Sequence, residues 1–239
     1  MADNEAFGRT EMLLGREAMG RLAASRVAVF GLGGVGGSCA EALARSGVGA
    51  IDLFDHDTVS LSNINRQAVA LHSTVGRYKA DVMAERIRDI NPGCKVGAFR
   101  LFYSTESADG VDLSVYDCVA DAIDTVAGKV ELIARAKAAG ARVVSAMGAG
   151  NRLDPAGFAA TDIGRTETDP LARAVRKGLR ARGVTDVVAV WTKEAPAGVS
   201  GTGPVASGAF APPACGLVLA AEVVKGLIAG EPKGKHGKL

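Results

Sequence analysis

No two of the four cysteines stand close enough for a Cys-x-x-Cys pair, since Cys39, Cys94, Cys118 and Cys215 are scattered along the 239 residues. That spacing excludes a zinc ribbon and a redox dithiol and leaves each thiol as a small buried hydrophobe. Aromatic residues are few, at 5% against 48% apolar residues in all, so the apolar content is mostly aliphatic. No segment reaches the roughly 18 uncharged apolar residues that a membrane span requires, and Met1 to Arg26 lacks the apolar centre of a signal peptide. The expectation is a cytoplasmic protein with no membrane span. Neither sign of charge dominates, because 28 Lys/Arg face 26 Asp/Glu. The balance is uneven along the chain: residues 151–239 carry 12 Lys/Arg against 8 Asp/Glu, which puts the basic excess in the second half. There is no internal repeat, and His56, His72 and His236 show no ligand spacing and are assigned no role.

What is present is an alternation of strand and helix. Arg26 to Phe30 is a β-branched, apolar run that stops at Gly31-Leu32-Gly33-Gly34-Val35-Gly36, and Ser38 to Ser46 then reads as a helix. A second strand, Ala50 to Phe54, ends at Asp55-His56-Asp57. A helix is predicted over Val75 to Ile90, with Ala80, Met83, Ile87 and Ile90 on one face and Asn91-Pro92 as its stop. Lys95 to Phe99 reads as a short strand. Tyr116 to Ile123 is a nearly unbroken apolar run, as expected of a central parallel strand, and ends at Asp124. A helix over Val126 to Ala139 and a strand over Arg142 to Ala146 continue the rhythm, which implies a Rossmann-like, mostly parallel sheet with flanking helices and right-handed crossovers.

Beyond Met147-Gly148-Ala149-Gly150 the rhythm weakens. Residues 1–150 therefore read as a nucleotide-binding region and 151–239 as a substrate-side extension of the same sheet and domain. Within the extension, Pro170 to Ala181 is a predicted helix with Leu171, Val175 and Leu179 inward. Its basic run Arg173, Arg176, Lys177, Arg180 and Arg182 is either a solvated face or a contact for a nucleic-acid backbone. The remainder reads as a strand at Val184 to Trp191, a Gly/Pro-rich loop from Ala195 to Gly208, a helix from Cys215 to Ala229 and a frayed Lys/Gly-rich tail.

The chemistry gathers where the strands end. Gly31-x-Gly33-x-x-Gly36, between a strand and a helix, matches the dinucleotide fingerprint, in which glycines let the backbone approach phosphate at a helix N-terminus. Asp55, ending the second strand, is placed to accept hydrogen bonds from a ribose. An NAD-binding module fits equally well to this point. The next segment separates the two readings: Ser60-Leu61-Ser62-Asn63-Ile64-Asn65-Arg66-Gln67 and then Lys79 add polar and cationic groups of the kind a triphosphate needs. Asp124 offers a hard oxygen ligand for Mg²⁺. Asp57 can equally touch the ligand or cap the following turn, and Asp121 can equally be functional or a structural carboxylate hydrogen-bonded to backbone at the strand end.

Gly-x-Gly-Gly-x-Gly, Asp-x-Asp, Ser-Asn-x-x-Arg-Gln, the downstream Lys and Asp-Ala-x-Asp together resemble the ubiquitin-activating-type, ThiF/MoeB-like adenylating superfamily. The resemblance implies roles residue by residue. Gly31, Gly33, Gly34 and Gly36 would bind phosphate, Asp55 the ribose with Asp57 beside it, and Asn63, Arg66 and Gln67 the phosphates. Lys79 would stabilise the transferring charge, Asp124 would bind Mg²⁺, and Arg9 would reach across a homodimer to the partner's ATP.

Within the superfamily the chain resembles the tRNA threonylcarbamoyladenosine dehydratase family most closely. The stretches that carry this are Arg9 to Gly15, Asn63 to Gln67, Asp121 to Asp124, Asp169 to Arg173 and Ser207 to Gly216. The resemblance implies ATP-dependent adenylation of the threonyl carboxylate of the modified adenosine next to the tRNA anticodon. The activated carboxyl is then attacked from within the same side chain, and the base cyclises with loss of water. The resemblance also leaves room for a monovalent cation and a sulfur-transfer partner. Intramolecular attack enjoys effective molarities of roughly 10⁵–10⁸ M and needs no enzyme nucleophile. The absence of a cysteine from Thr192 to Ala206 agrees with that. The departure from the family pattern is a short, Gly-rich version of this loop, which leaves substrate contacts unassigned. The alternative activity is adenylation of the C-terminal glycine of a small sulfur-carrier protein.

Overall fold

A computed structural model describes residues 5–197 and 205–230. The middle of the expected Gly/Pro-rich loop (198–204) and the expected frayed tail (231–239) lie outside the described residues. In chain order the elements are α1 (Gly8–Leu14), α2 (Arg16–Ala24), β1 (Arg26–Phe30), α3 (Gly34–Arg45), β2 (Ala50–Phe54), α4 (Lys79–Ile90) and β3 (Lys95–Phe99). Then come β4 (Cys118–Asp121), α5 (Val126–Ala138), β5 (Arg142–Ala146), β6 (Phe158–Asp162), α6 (Pro170–Ala181), β7 (Val188–Thr192) and α7 (Ala211–Ile228).

All seven strands form one sheet of order β3-β2-β1-β4-β5-β7-β6, parallel except for β6, which runs antiparallel to β7. Alternation along the strands divides the core into two layers. Val27 and Val29 of β1 face α3, α4 and α7 through Leu43, Met83, Ile87, Leu219 and Val223. Ala28 and Phe30 face α5 and α6 through Leu132, Ile133, Val175 and Leu179. The chain leaves β3 on one side of β1 and re-enters as β4 on the other, so the C-terminal ends of β1 and β4 flank the switch point where open α/β sheets bind ligands.

Several elements differ from their predicted bounds for local reasons. α3 begins at Gly34, because the glycine turn itself forms the helix's first turn. α4 begins at Lys79: Gly76 takes a left-handed φ of 87°, and Thr58 bridges Tyr78 before the helix starts. β4 has only four residues. Its end is set by Asp121, whose Oδ1 accepts the Ile123 N–H at 3.0 Å and turns the chain, so that Asp124 lies three residues beyond the strand. α7 starts four residues earlier than expected, with Pro212 and Pro213 in the first turn, where a missing N–H leaves no hydrogen bond unmade. The sequence reading has no counterpart for α1, α2 or β6. α7 is long and apolar enough by length and composition to cross a membrane, but half of it is buried, and it packs on α3 as a core helix.

Candidate active site

Above the ends of β1, β2, β4 and β5 lies a cavity of about 540 Å³. Gly31, Gly33, Gly34, Asp55, Asp57, Arg66, Gln67 and Asp124 line it. Gly36, Asn63, Lys79 and Arg9 stand outside the lining. Gly36 is buried in the first turn of α3, where a Cβ would overlap the carbonyl oxygen of Gly31, itself at φ 83°. Only glycine lets that turn close.

The two acidic residues after β2 organise the near wall. Asp55 is buried, and its Oδ2 accepts the Leu32 N–H at 2.5 Å while Oδ1 accepts the Asp57 N–H at 2.8 Å. The carboxylate thus ties the glycine turn to the end of β2, and lone pairs remain on both oxygens for further donors. Asp57 Oδ2 accepts from Lys79 Nζ at 2.7 Å. Partial burial raises the Asp57 pKa, but the Lys79 hydrogen bond and charge, with His56, outweigh it and hold the carboxyl below its ordinary range. Asn63 is buried and accepts the Ser60 N–H at 3.1 Å, which folds the 60–67 turn and presents Arg66 and Gln67. Arg66 is half-buried and donates to the Ser62 carbonyl at 3.0 Å and Asn65 Oδ1 at 2.8 Å, with its stem beside Gly34.

Under the cavity floor, fully buried Asp121 accepts from Lys129 Nζ at 3.0 Å and Ser145 Oγ at 2.6 Å. That settles Asp121 as a structural carboxylate joining β4, α5 and β5.

The far wall is built from residues to which the sequence reading gives no role, although Asp169 begins one of the stretches that carry the family resemblance. Tyr103 packs edge-on against Phe30, which stacks on Phe54 with ring centroids 4.3 Å apart. The Tyr103 hydroxyl has no hydrogen-bond partner among the described residues, and burial pushes its pKa up to about 12. His56, to which the sequence reading gives no role, lines the cavity and meets Phe102 edge-on at 4.7 Å. Arg152 is 5% exposed, and its Nε and Nη1 have no partner among the described residues. Asp169 caps α6, accepting the Ala172 N–H at 3.0 Å and the Gly148 N–H at 2.8 Å. The signals that could have found Arg152 and Asp169 are a cation placed just after the glycine-rich end of β5 and an Asp-Pro helix start.

Four carboxylates therefore line the cavity, and three are already held. Asp55 and Asp169 are held by backbone N–H groups, and Asp57 by Lys79. Asp124 is exposed and makes no hydrogen bond or ion pair among the described residues. Among the described residues one acidic group has cation-ligand spacing, Asp55-His56-Asp57, and there Lys79 already occupies Asp57 Oδ2, whereas Asp124 stands without a partner.

The profile of the ThiF family matches residues 7–236. The chain belongs to the ThiF family. Among its relatives, the tRNA threonylcarbamoyladenosine dehydratase of Bacillus subtilis is 40% identical over 239 residues, covering 93% of this chain and 94% of that one. The protein of the same name from Escherichia coli is 43% identical over 177 residues, covering 74% of this chain and 66% of that one. The crystal structure of E. coli tRNA N6-threonylcarbamoyladenosine dehydratase in complex with ATP superposes with a TM-score of 0.89 at 36% identity, over 95% of this chain and 96% of that one.

Two further features of this ThiF-family chain bear on its chemistry. All four cysteines are buried, and burial pushes the pKa of Cys215 and Cys118 up to about 12 and that of Cys94 to about 11, so none is poised as a nucleophile. The basic run of α6 is also smaller than it looks in sequence. Arg176 turns inward to the Ile163 and Thr166 carbonyls, at 3.2 and 2.9 Å, and Arg182 pairs with Glu131 at 2.6 Å. Arg173, Lys177 and Arg180 remain exposed.

Proposed function

We propose that this chain is an ATP-dependent tRNA threonylcarbamoyladenosine dehydratase that acts in the cytoplasm. The carrying observation is a glycine turn, Arg66 and one uncommitted carboxylate, Asp124, around a single cavity in a chain that matches dehydratases of that name along almost its whole length. In this reading the ATP ribose lies against Asp55 and its phosphates over Gly31, Gly33 and Gly34, with Arg66 and Gln67 beside them. Asn63 acts by shaping the 60–67 turn. Lys79 acts from beneath Asp57, keeping that carboxylate ionised and adding positive charge to the phosphate side. Asp124 would hold Mg²⁺, which offsets charge on the phosphates.

The threonyl carboxylate attacks the α-phosphorus and pyrophosphate leaves. A nucleophile within the same side chain then attacks the activated carbonyl, and AMP departs with one of the two carboxylate oxygens. The tRNA is thereby lighter by one water, and no enzyme nucleophile is used. The buried, high-pKa cysteines suit that scheme better than they suit a thioester pathway.

Arg9 is exposed on α1 beside Met12 and Leu13, which are 88% and 81% exposed. A homodimer that covers this pair and brings Arg9 to the partner's ATP accounts for the exposed apolar surface. Arg173, Lys177 and Arg180 are the α6 cations left free for a tRNA backbone. A monovalent cation and a sulfur-transfer partner are compatible additions.

The deciding measurement is mass spectrometry of nucleosides from modified tRNA incubated with enzyme and Mg²⁺-ATP. A nucleoside lighter by one water, with AMP and pyrophosphate released, is expected. An unchanged mass with protein that binds ATP overturns the reading, and pyrophosphate exchange stimulated by a small sulfur-carrier protein but not by tRNA would replace it.

A further inference from the structure

Arg152 is the unusual charge in this molecule. Long cationic side chains are almost never fully buried unless paired, because an unpaired buried charge forfeits its hydration without compensation. Arg152 is only 5% exposed, and neither Nε nor Nη1 has a partner among the described residues. The acidic groups tied to its neighbourhood accept from the backbone and form no ion pair with it among the described residues. Glu194 accepts the N–H groups of Leu153 at 3.0 Å and Asp154 at 3.1 Å, and Asp169 accepts those of Gly148 and Ala172.

The backbone around it is fixed as well. Asn151, at φ 55°, donates its N–H to the Ala206 carbonyl at 2.7 Å. It accepts the Ala197 N–H at its carbonyl at 2.7 Å and the Ala206 N–H at Oδ1 at 2.8 Å. The guanidinium is thus held at the cavity wall by its flanks and lacks a counter-anion among the described residues.

Position decides which anion. The phosphate-side groups come from the β1 turn and the 60–67 segment, and Asp124 lies just past β4. Arg152 comes after β5, two strands from the glycine turn, or about 10 Å at ordinary strand spacing. A carboxylate that attacks a phosphorus already surrounded by negative oxygens must be brought there against repulsion. A buried cation across Asp124 from the phosphates would offset that repulsion and orient the carboxylate through a bidentate contact.

We infer that Arg152 binds the substrate carboxylate that ATP activates, and so makes the enzyme select an acid. The inference rests on the adenylating activity proposed above.

The test compares wild type with Arg152→Leu and Arg152→Lys. Four quantities are read: turnover of modified tRNA, ATP binding, melting temperature, and binding of the free modified nucleoside against its carboxamide analogue. In Arg152→Leu the KM for tRNA should rise about 30-fold or more, as when one partner of a buried charge pair is removed. ATP affinity should stay within about twofold, and the melting temperature should not fall, because an uncompensated charge is removed. The wild type should prefer the acid to the carboxamide, Arg152→Leu should not discriminate, and Arg152→Lys should recover part of the preference.

Weaker ATP binding with the acid preference intact would assign Arg152 to a phosphate and overturn the inference. So would a lowered melting temperature with all affinities unchanged, which marks a structural residue. A wild-type enzyme that binds ATP but releases no AMP with modified tRNA instead sinks the underlying activity, an outcome distinct from both.

Discussion

The cavity wall built on β1 and β2 and the wall built on β5 handle charge in opposite ways. On the first, each ionised group meets a partner inside the protein. Asp55 holds two backbone N–H groups, Lys79 sits on Asp57, and Asp121 and Lys129 are paired beneath the floor. On the second, Arg152 is buried without a counter-charge among the described residues, and Asp124, between the two walls, is exposed and has no partner among them. The first wall is therefore preorganised before any ligand arrives, while Arg152 and Asp124, proposed above to meet the reacting carboxylate and a cation, are left open. Preorganised dipoles cost no rearrangement at the moment of reaction, whereas an unmet charge converts ligand arrival into binding energy.

The contrast breaks most severely where the satisfied side loses one partner. Lys129→Met leaves Asp121, with no exposed surface, holding only the Ile123 N–H and the Ser145 hydroxyl. Loss of one member of a buried pair costs about 3–5 kcal/mol. For a chain of this size that is a fall of about 10 °C in melting temperature, read by thermal and urea denaturation. Adding Asp121→Asn should recover a good part of it. A single variant as stable as wild type would mean that the pair does not hold β4, α5 and β5 together.

Next in size is a separation between binding and turnover. Asp124→Ala and Lys79→Ala are expected to lower kcat by about 10²–10³-fold, the usual effect of removing one group that stabilises developing charge. Nucleotide affinity should change far less, because the glycine turn and Asp55 remain. Single-turnover AMP release beside equilibrium ATP binding measures both. Equal losses in the two would remove the catalytic assignment and leave ordinary ligand contacts.

The same contrast explains what can be read from the sequence. The first wall is legible because its parts are local. A glycine turn between strand and helix, an acidic residue ending the next strand and a polar segment after it are close in sequence and have fixed geometry. Even there, two details depend on packing. Asp121 stops β4 by capping its own turn, and Lys79 reaches Asp57 rather than the open cavity. The second wall is not legible, since burial decides it. Arg152 reads as an ordinary loop cation until the fold buries it in the cavity wall, and the basic residues Arg173 to Arg182 read alike until Thr166 takes one and Glu131 another. β6 escapes sequence reading because an antiparallel edge strand breaks the strand-helix alternation that reveals the others.

The smallest expected effect tests whether the second half also contains satisfied charge that matters little. Glu131 of α5 accepts from Arg135 Nε at 2.5 Å and from Arg182 Nη1 at 2.6 Å, which ties α5 to the residue after α6. The hydrogen bonds from Arg135 and then Arg182, against burial, hold the Glu131 carboxyl below its ordinary value. A carboxylate whose folded pKa lies below the unfolded one contributes its full stability above the unfolded pKa, about 4.3 for Glu, and loses it as pH falls through the folded pKa. Both arginine side chains are more than a third exposed, so water screens the contribution, and Arg182→Met should cost no more than about 1 kcal/mol at pH 7. In urea titrations the gap between wild type and variant should shrink as pH is lowered below 4, because protonated Glu131 no longer distinguishes the two. A gap that stays constant down to pH 3 would show that Arg182 holds α6 through its aliphatic stem rather than its charge.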